Sequence, residues 1–357
     1  MRRARWLANW RDSETTPVFY HCTSRVVDRR FALGAEEKEM FRKLMRNYER
    51  FSGCTVTAYC LMDDHFHLLL EVPPKSPDGL SDDELLNRLS AIYNDDTVAE
   101  VAEELKEARR QKADGPALVN SIHGRFTARM HNLSQFMKAL LQRYTQWHNR
   151  KNKRRGTLWE ERFKSVIVEG GMAARTVAAY IDLNPVRAGI ERNAAKYRWS
   201  SYGEAIRRET GDHGKTARAG LARAWGSHLG MQAKVSNWNR KVSSAYRKLL
   251  LLDRNEEGGQ AISREANTSG TRLSKEQAES LEAVDSELPF ARMLKSRIRH
   301  FTDGAVIGSK AFVNQAFEQS RSRFGPKRKD GARKLCGNGA PAVGLLWSLR
   351  DLRLRCE

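Results

Sequence analysis

The chain has 357 residues, which predicts two domains, and its 63 Lys and Arg residues against 43 Asp and Glu residues give a net charge of +20. Such a charge favours a polyanionic partner, and nucleic acid is expected because neutralising its phosphates releases condensed counterions. No apolar run reaches the roughly 18 residues of a membrane-spanning helix, and the five cysteines have no CxxC spacing, which argues against a disulfide framework or a zinc finger. We expect a cytoplasmic protein that makes no membrane contact.

Strands and helices are predicted in alternation along the first part of the chain. Residues 17–28 are rich in β-branched and aromatic side chains and predict a strand, whereas residues 35–51 carry one apolar stripe at helical spacing. Residues 54–62 and 65–72 predict a hairpin. Residues 76–130 include an acidic segment with a helical pattern, which we interpret as an insert that does not face the partner.

The alternation continues beyond the insert. A helix is predicted at residues 133–148, a basic loop at 149–156, a strand at 163–169, and a helix at 172–184 that ends before Pro185. This order predicts an α+β fold in which helices cover an antiparallel sheet.

Two histidines lie inside the second strand of the predicted hairpin. Side chains alternate along a strand, so His65 and His67 share one face while Phe66, Leu68, Leu70 and Val72 point to the other. Two imidazoles on the polar side of an otherwise apolar strand suit a divalent metal, which a carboxylate or amide from elsewhere would complete. Ordinary half-buried histidines are the alternative.

A tyrosine and an asparagine share one face of the helix before Pro185. Tyr180 and Asn184 are four residues apart, so that a phenol and an oxygen donor could meet one metal-bound phosphate. The alternative is a half-buried tyrosine on an amphipathic helix with an asparagine near its end. Asp182 points away from the face of Tyr180 and is interpreted as structural.

Five segments, taken together and in this order, resemble the HUH single-tyrosine transposases, especially the REP-associated tyrosine transposases. They are Tyr20–Arg25, Asp63–Leu70, Gly156–Ser165, Tyr180–Gly189 and Tyr197–Tyr202. The resemblance covers roughly residues 17–205. It implies a ferredoxin-like, RRM-like antiparallel sheet and, as substrate, single-stranded DNA that forms hairpins.

The resemblance also implies roles for single residues. His65 and His67 match the two metal ligands, Tyr180 matches the nucleophile, and Asn184 matches the polar residue that completes the metal site. The implied metal is Mg²⁺ or Mn²⁺, and the implied intermediate is a 5′-phosphotyrosine. Either a monomer or a homodimer is compatible with this resemblance.

A basic and aromatic set is expected to bind the DNA. It consists of Arg25, Arg150, Lys151, Lys153, Arg154, Arg155, Trp159, Arg162, Lys164 and Arg187. Phosphates would contact the cations while bases stack on Trp159. A solvated basic loop is the alternative for residues 150–155, Arg187 could instead pair with Asp182, and Arg25 could make a hydrogen bond within the core.

Three parts of the chain are expected. A catalytic domain spans residues 1–205 and contains the insert at 76–130, a connecting region spans 206–270, and a helical, basic C-terminal region spans 271–357. In the C-terminal region, helix-like segments lie around a Gly-containing turn, and Ser309 is expected to cap the second of them. A helix-turn-helix DNA-binding module or a small helical bundle would both show this pattern.

The leading interpretation is an enzyme, a metal-dependent single-stranded DNA endonuclease and strand transferase that acts at hairpins, as a transposase or a domesticated relative. The alternative is a non-catalytic protein that binds hairpin or sequence-specific nucleic acid, or a regulator. The set of His65, His67, Tyr180 and Asn184 favours the enzyme, because binding alone does not need it.

Overall fold

The computed structural model describes residues 6–8, 16–75, 79–207, 211–226, 238–251, 301–302, 304–334 and 346–349. The last part of the expected connecting region, from residue 252, and the first part of the C-terminal region, up to residue 300, lie outside the described residues. Within the described ranges, no helix has both the length and the apolar character that crossing a membrane requires.

One sheet forms the centre of the molecule. Its strands, as far as the chain is described, are β1 Val18–Arg25, β2 Thr55–Leu61, β3 His65–Val72, β4 Lys164–Val168, β5 Val306–Gly308, β6 Arg333–Lys334 and β7 Trp347–Leu349. They lie in the order β2-β3-β1-β4-β5-β7-β6, and neighbours are antiparallel except for β4 and β5. The predicted α+β fold with a mainly antiparallel, helix-covered sheet is confirmed.

Helices pack on both faces of this sheet. The described helices are α1 Ala35–Ser52, α2 Asp82–Leu89, α3 Asp95–Arg110, α4 Gly115–Thr127, α5 Leu133–Lys151, α6 Met172–Asp182, α7 Asn184–Arg187, α8 Ser201–Ile206, α9 Gly211–Gly226, α10 Arg240–Leu251 and α11 Lys310–Gln319. Helices α1, α5 and α11 share a core with Phe66 and Leu68. Helices α6, α8, α9 and α10 share a core with Phe19 and Leu69 on the opposite face.

The insert folds as a separate three-helix layer. Helices α2, α3 and α4 bury Leu85, Leu89 and Leu105 against one another and against Phe51 at the end of α1. A capping box is present at the start of α2, since the Ser81 side chain accepts from the backbone of Glu84 and the Glu84 side chain accepts from the backbone of Ser81. The insert therefore adds to the edge of the fold without interrupting the sheet.

The described part of the expected connecting region, residues 206–270, packs against the core of residues 1–205. Helix α9 buries Ala217, Leu221 and Ala224 in the core beside β2, and α10 buries Tyr246 in the same core. At Gly220 a Cβ atom would lie 2.6 Å from the carbonyl oxygen of Val56, so only glycine permits the close approach of α9 to β2. The contact between α9 and β2 is made largely by small residues, so the spacing of large apolar residues in the sequence does not indicate it.

The C-terminal part that the structure describes joins the sheet. Val306 pairs with Ile167 of β4, and β7 pairs with β5 on its other side. The predicted cap is present, because the Ser309 side chain accepts from the backbone N–H of Phe312 at the start of α11. Strand β5 at Val306–Gly308 lies between residues 301–302 and α11. The segment before residue 301 lies outside the described residues, so the helix-turn-helix module stays a prediction. A short apolar run between glycines cannot be distinguished from helix by periodicity alone.

Candidate active site

The histidine pair lies on the sheet face that α6 covers. Strand β3 is paired on both sides, and its alternation puts His65 and His67 on one face while Phe66 lies in the opposite core. The two ring centroids are 5.1 Å apart at an interplanar angle of 81°. His67 is buried, and the side chain of His65 is 20% exposed.

A third histidine orients the ring of His67. His21 lies on the same face of β1, with its Nε2 3.0 Å from His67 Nδ1 and its Nδ1 2.7 Å from the carbonyl oxygen of Phe301. A carbonyl oxygen only accepts, so His21 Nδ1 donates to it and His21 Nε2 accepts from His67 Nδ1. The tautomers inferred from this network leave Nε2 of His67 with its lone pair available for a metal.

Burial keeps this pair of rings neutral. Desolvation lowers the pKa of His21 to about 4 and lowers the pKa of His67 well below its usual range, and the nearby charge of Arg187 acts in the same direction. A neutral imidazole is the form that binds a metal ion. The hydrogen bond between His21 and His67 was not predicted from the sequence.

His65 has a corresponding partner. Its Nδ1 lies 2.5 Å from Oδ1 of Asp64, so Nε2 is again the ring nitrogen left for a ligand. Burial of Asp64 opposes its ionisation, but the hydrogen bond with His65 and the charges of His65 and Arg25 lower its pKa overall. Arg25 Nε is 3.6 Å from the other oxygen of Asp64. A carboxylate–histidine pair of this kind typically orients a metal ligand.

Tyr180 lies beside the histidines, at the C-terminal end of α6. Its ring centroid is 6.3 Å from those of His21 and His67, and 4.5 Å from that of Phe301. The side chain is buried, with 4% of the residue exposed. Arg187 donates from Nη2 to the backbone oxygen of Tyr180 at 2.5 Å, and its guanidinium carbon lies 3.9 Å from the ring centroid.

Asn184 begins the short helix α7, after the chain leaves α6 at Leu183. Its Nδ2 is buried without a hydrogen-bond partner in the described part of the chain. An unpaired buried amide is costly unless a ligand uses it, and the oxygen and nitrogen of an amide are distinguished only by their hydrogen bonds. Within the described residues, no group of three or more His, Cys, Asp or Glu side chains is arranged for a metal. The candidate donors on β3 are therefore two imidazoles, and the carboxamide of Asn184 stays a predicted third donor.

Asp182 serves the core and not this site. Its carboxylate accepts hydrogen bonds from the hydroxyls of Ser201 and Tyr246 and from the backbone N–H of Tyr202. Burial raises its pKa to about 6, although these hydrogen bonds oppose the change. Arg187 contacts Tyr180. Asp182, the acid with which Arg187 could have paired, accepts its hydrogen bonds from Ser201, Tyr202 and Tyr246.

The expected DNA-binding residues divide into three groups. Arg150, Lys153, Arg155 and Arg162 are exposed and Arg154 is half-buried. Lys151 pairs with Glu36 and Glu37, and Lys164 pairs with Glu161. Arg25 and Arg187 lie next to the histidines and the tyrosine, respectively.

Trp159 lies in the core and does not offer the stacking surface expected of it. It is 8% exposed, its ring packs against Phe41 and Phe66, and its Nε1 donates to Oγ1 of Thr145 at 3.0 Å. The surrounding basic residues suggested a surface position. The pairing of Trp159 with Val26 turns the ring inward instead.

Comparison with known proteins supports a family for the first part of this site. Residues 15–79, which include β1, α1, β2 and β3 and both histidines of the pair, match the family model described as transposase, IS200-like. The resemblance to the single-tyrosine transposases is confirmed by this match. Tyr180 and Asn184 lie outside the matched residues.

Among solved structures, the chain is similar to a REP-associated tyrosine transposase bound to a REP hairpin. The identity is 12%, the alignment covers 58% of this chain and 86% of that chain, and the TM-score is 0.36. A likeness of this degree carries no conclusion about this chain. No curated protein matches the sequence.

Proposed function

We propose that this chain is a metal-dependent endonuclease and strand transferase that cleaves and rejoins single-stranded DNA at hairpins, with Tyr180 as the nucleophile. The observation that carries the proposal is the approach of Tyr180, from α6, to the histidine pair on β3, with 6.3 Å between the ring centroids of Tyr180 and His67. The match of residues 15–79 to IS200-like transposases supports it independently.

The residues present fit a divalent metal. His65 and His67 would hold Mg²⁺ or Mn²⁺ through Nε2, because hydrogen bonds occupy both Nδ1 atoms, and the unpaired amide of Asn184 would complete the donor set. When bound, the metal would polarise the scissile phosphate and stabilise the negative charge that develops on it.

The chain's own residues carry the covalent step. The phenolic oxygen of Tyr180 attacks the phosphorus, so that an O–P bond forms and the bond from phosphorus to the 3′ oxygen breaks. The phenolic proton ends on the departing oxygen, which leaves a 5′-phosphotyrosine and a free 3′-OH. One phosphodiester replaces another, so attack by a second 3′-OH reverses the step and joins strands. Arg187 holds the backbone and the ring of Tyr180 in place.

The exposed cations at the end of α5 and after it are proposed to bind the DNA backbone. Arg150 is exposed in the last turn of α5, and Lys153, Arg155 and Arg162 are exposed on the segment that leads into β4. The same segment runs beside the end of β1, where Glu160 N–H donates to the carbonyl oxygen of Arg25. Arg25 in turn contacts Asp64, the partner of His65, so this surface adjoins the candidate metal site.

Incubation of the protein with labelled single-stranded hairpin DNA and Mn²⁺ tests the nucleophile. We expect a covalent protein–DNA adduct that chelator abolishes and that Tyr180→Phe eliminates, because phenylalanine has no attacking oxygen. Tyr93→Phe, in the insert, is the matched control and should leave adduct formation unchanged. An adduct that persists in Tyr180→Phe would show that another residue attacks.

A non-catalytic hairpin-binding protein is the second candidate. The burial of Tyr180, whose ring packs against Phe301 with 4.5 Å between centroids, favours it, because a buried side chain meets DNA less readily than an exposed one. Tight binding of hairpin DNA without any adduct in the same experiment would support this candidate and overturn the first.

A further inference from the structure

A cavity of about 550 Å³ lies among α7, α8, α9 and α10, next to the end of the helix that carries Tyr180. It is lined by Leu183, which directly precedes Asn184, and by Val186, two residues after Asn184. Its volume is within the range of pockets that bind small molecules, about 300–1,000 Å³. The proposed chemistry of Tyr180, His65 and His67 does not use this cavity.

The described lining is positively charged. It includes Arg192, Arg218 and Arg247 and contains no Asp or Glu. Arg218 is held in place, because its Nε donates to the carbonyl oxygen of Ala205 at 2.6 Å and its Nη2 donates to that of Arg207 at 3.2 Å. A fixed guanidinium flanked by two more suits an anion with several oxygens, such as a phosphate.

The other part of the lining is apolar and aromatic. Trp238 is half-buried, and Tyr202 and Leu250 are buried at the cavity wall. The ring of Trp238 packs against Tyr246 with 5.9 Å between centroids, which supports it from behind. Aromatic rings beside arginines are the combination that binds nucleotides, whose bases stack while their phosphates pair with the cations.

We propose that this cavity binds one nucleotide, with its base against Trp238 and Tyr202 and its phosphate at the three arginines. The nucleotide could belong to a DNA strand or be a free mononucleotide. The position beside Asn184 favours an unpaired nucleotide of the strand that Tyr180 cleaves, and to this extent the inference rests on the proposed function. The cavity would then hold the strand in register next to the site of cleavage.

Binding of single-stranded oligonucleotides to the Tyr180→Phe protein, followed by fluorescence anisotropy, tests the proposal without requiring cleavage. The double variant Arg192→Ala/Arg247→Ala changes two exposed side chains and should bind about tenfold more weakly. The slope of affinity against salt should fall by about 0.7 for each lost phosphate contact. Arg50→Ala/Arg110→Ala removes the same charge from α1 and α3 and should change affinity about twofold or less.

Photo-crosslinking separates the sources of the nucleotide. A strand that carries 5-bromodeoxyuridine should cross-link to the peptide that contains Trp238, and Trp238→Ala should abolish the product. Protection of Trp238 from chemical modification by bound thymidine monophosphate, without any cross-link to the strand, would instead support a free nucleotide as the ligand.

Equal losses of affinity in the cavity variant and in the control variant, with no cross-link and no protection at Trp238, would overturn the proposal. If the covalent adduct nevertheless forms normally, only the proposal that the cavity binds a nucleotide is overturned. Absence of the adduct with the expected loss of binding would overturn the cleavage proposal and leave the cavity supported.

Discussion

His67 depends on a neighbour that was not part of the predicted metal site. His21 accepts from His67 Nδ1 and donates to the carbonyl oxygen of Phe301, and both hydrogen bonds are buried. The alternation of β1 and β3 brings the rings together, because His21 and His67 point to the same side of two paired strands. Phe301 lies far away in the sequence, where no local pattern indicates its role.

We predict that His21→Phe weakens the binding of Mn²⁺ by about tenfold, because His67 loses the partner that fixes its tautomer. Isothermal titration calorimetry or the electron paramagnetic resonance of free Mn²⁺ would measure the change. His21→Gln can still accept from His67 and should retain part of the affinity. Equal affinity in wild type and in His21→Phe would contradict a positioning role for His21.

At the scale of elements, the docking of α9 depends on one glycine. A Cβ at Gly220 would lie 2.6 Å from the oxygen of Val56 and 3.1 Å from Cα of Thr57, both backbone atoms of the β2 strand. Arg223, one turn later, pairs with the buried Glu71 of β3. Helix α9 is therefore fastened to β2 and to β3, the strand that carries His65 and His67.

We predict that Gly220→Ala destabilises the protein by about 1–3 kcal/mol, because backbone atoms must shift to make room for the methyl group. Gly124→Ala in α4 is the matched control, since a Cβ at that position would have no neighbouring atom within 4 Å and alanine favours helix by about 1 kcal/mol. Urea unfolding should show opposite signs for the two substitutions. A stabilised Gly220→Ala protein would contradict the close contact.

At the scale of the whole molecule, a buried ionic network joins α1, β2 and α8. Glu204 is 1% exposed and accepts from Arg42 Nη1 at 2.9 Å, from Arg46 Nη2 at 3.3 Å and from the hydroxyl of Tyr59 at 2.6 Å. The network links the helix on one face of the sheet to the segment that follows the nucleophile helix. Breaking a buried network costs more than its formation gains, because charges stay behind unpaired.

We predict that Glu204→Ala lowers the free energy of unfolding by about 3 kcal/mol, since it leaves two guanidiniums with fewer partners in the interior. Glu161→Ala removes an exposed pair with Lys164 and should change stability by about 0.5 kcal/mol or less. Chemical denaturation of both variants measures the difference. Similar stability of the two variants would show that the network contributes little.

Much of the candidate site follows from local periodicity. The alternation of β3 determines that His65 and His67 share a face, and the prediction of an α+β fold follows from the order of elements along the chain. The position of Trp159 does not follow, because its neighbours Leu158 and Glu160 do not indicate on which side of the chain the ring is buried. Its partner Val26 decides which way the ring points.

The histidine pair, the strand that carries it, the cap at Ser309 and the basic character that indicates nucleic acid all follow from the sequence. Tertiary structure alone decided that Phe301 covers Tyr180, that α9 packs on β2, and that β5 extends the sheet beside β4. The reason is physical: periodicity reports which face of an element is apolar, whereas the partner of that face is chosen by packing between residues distant in the chain.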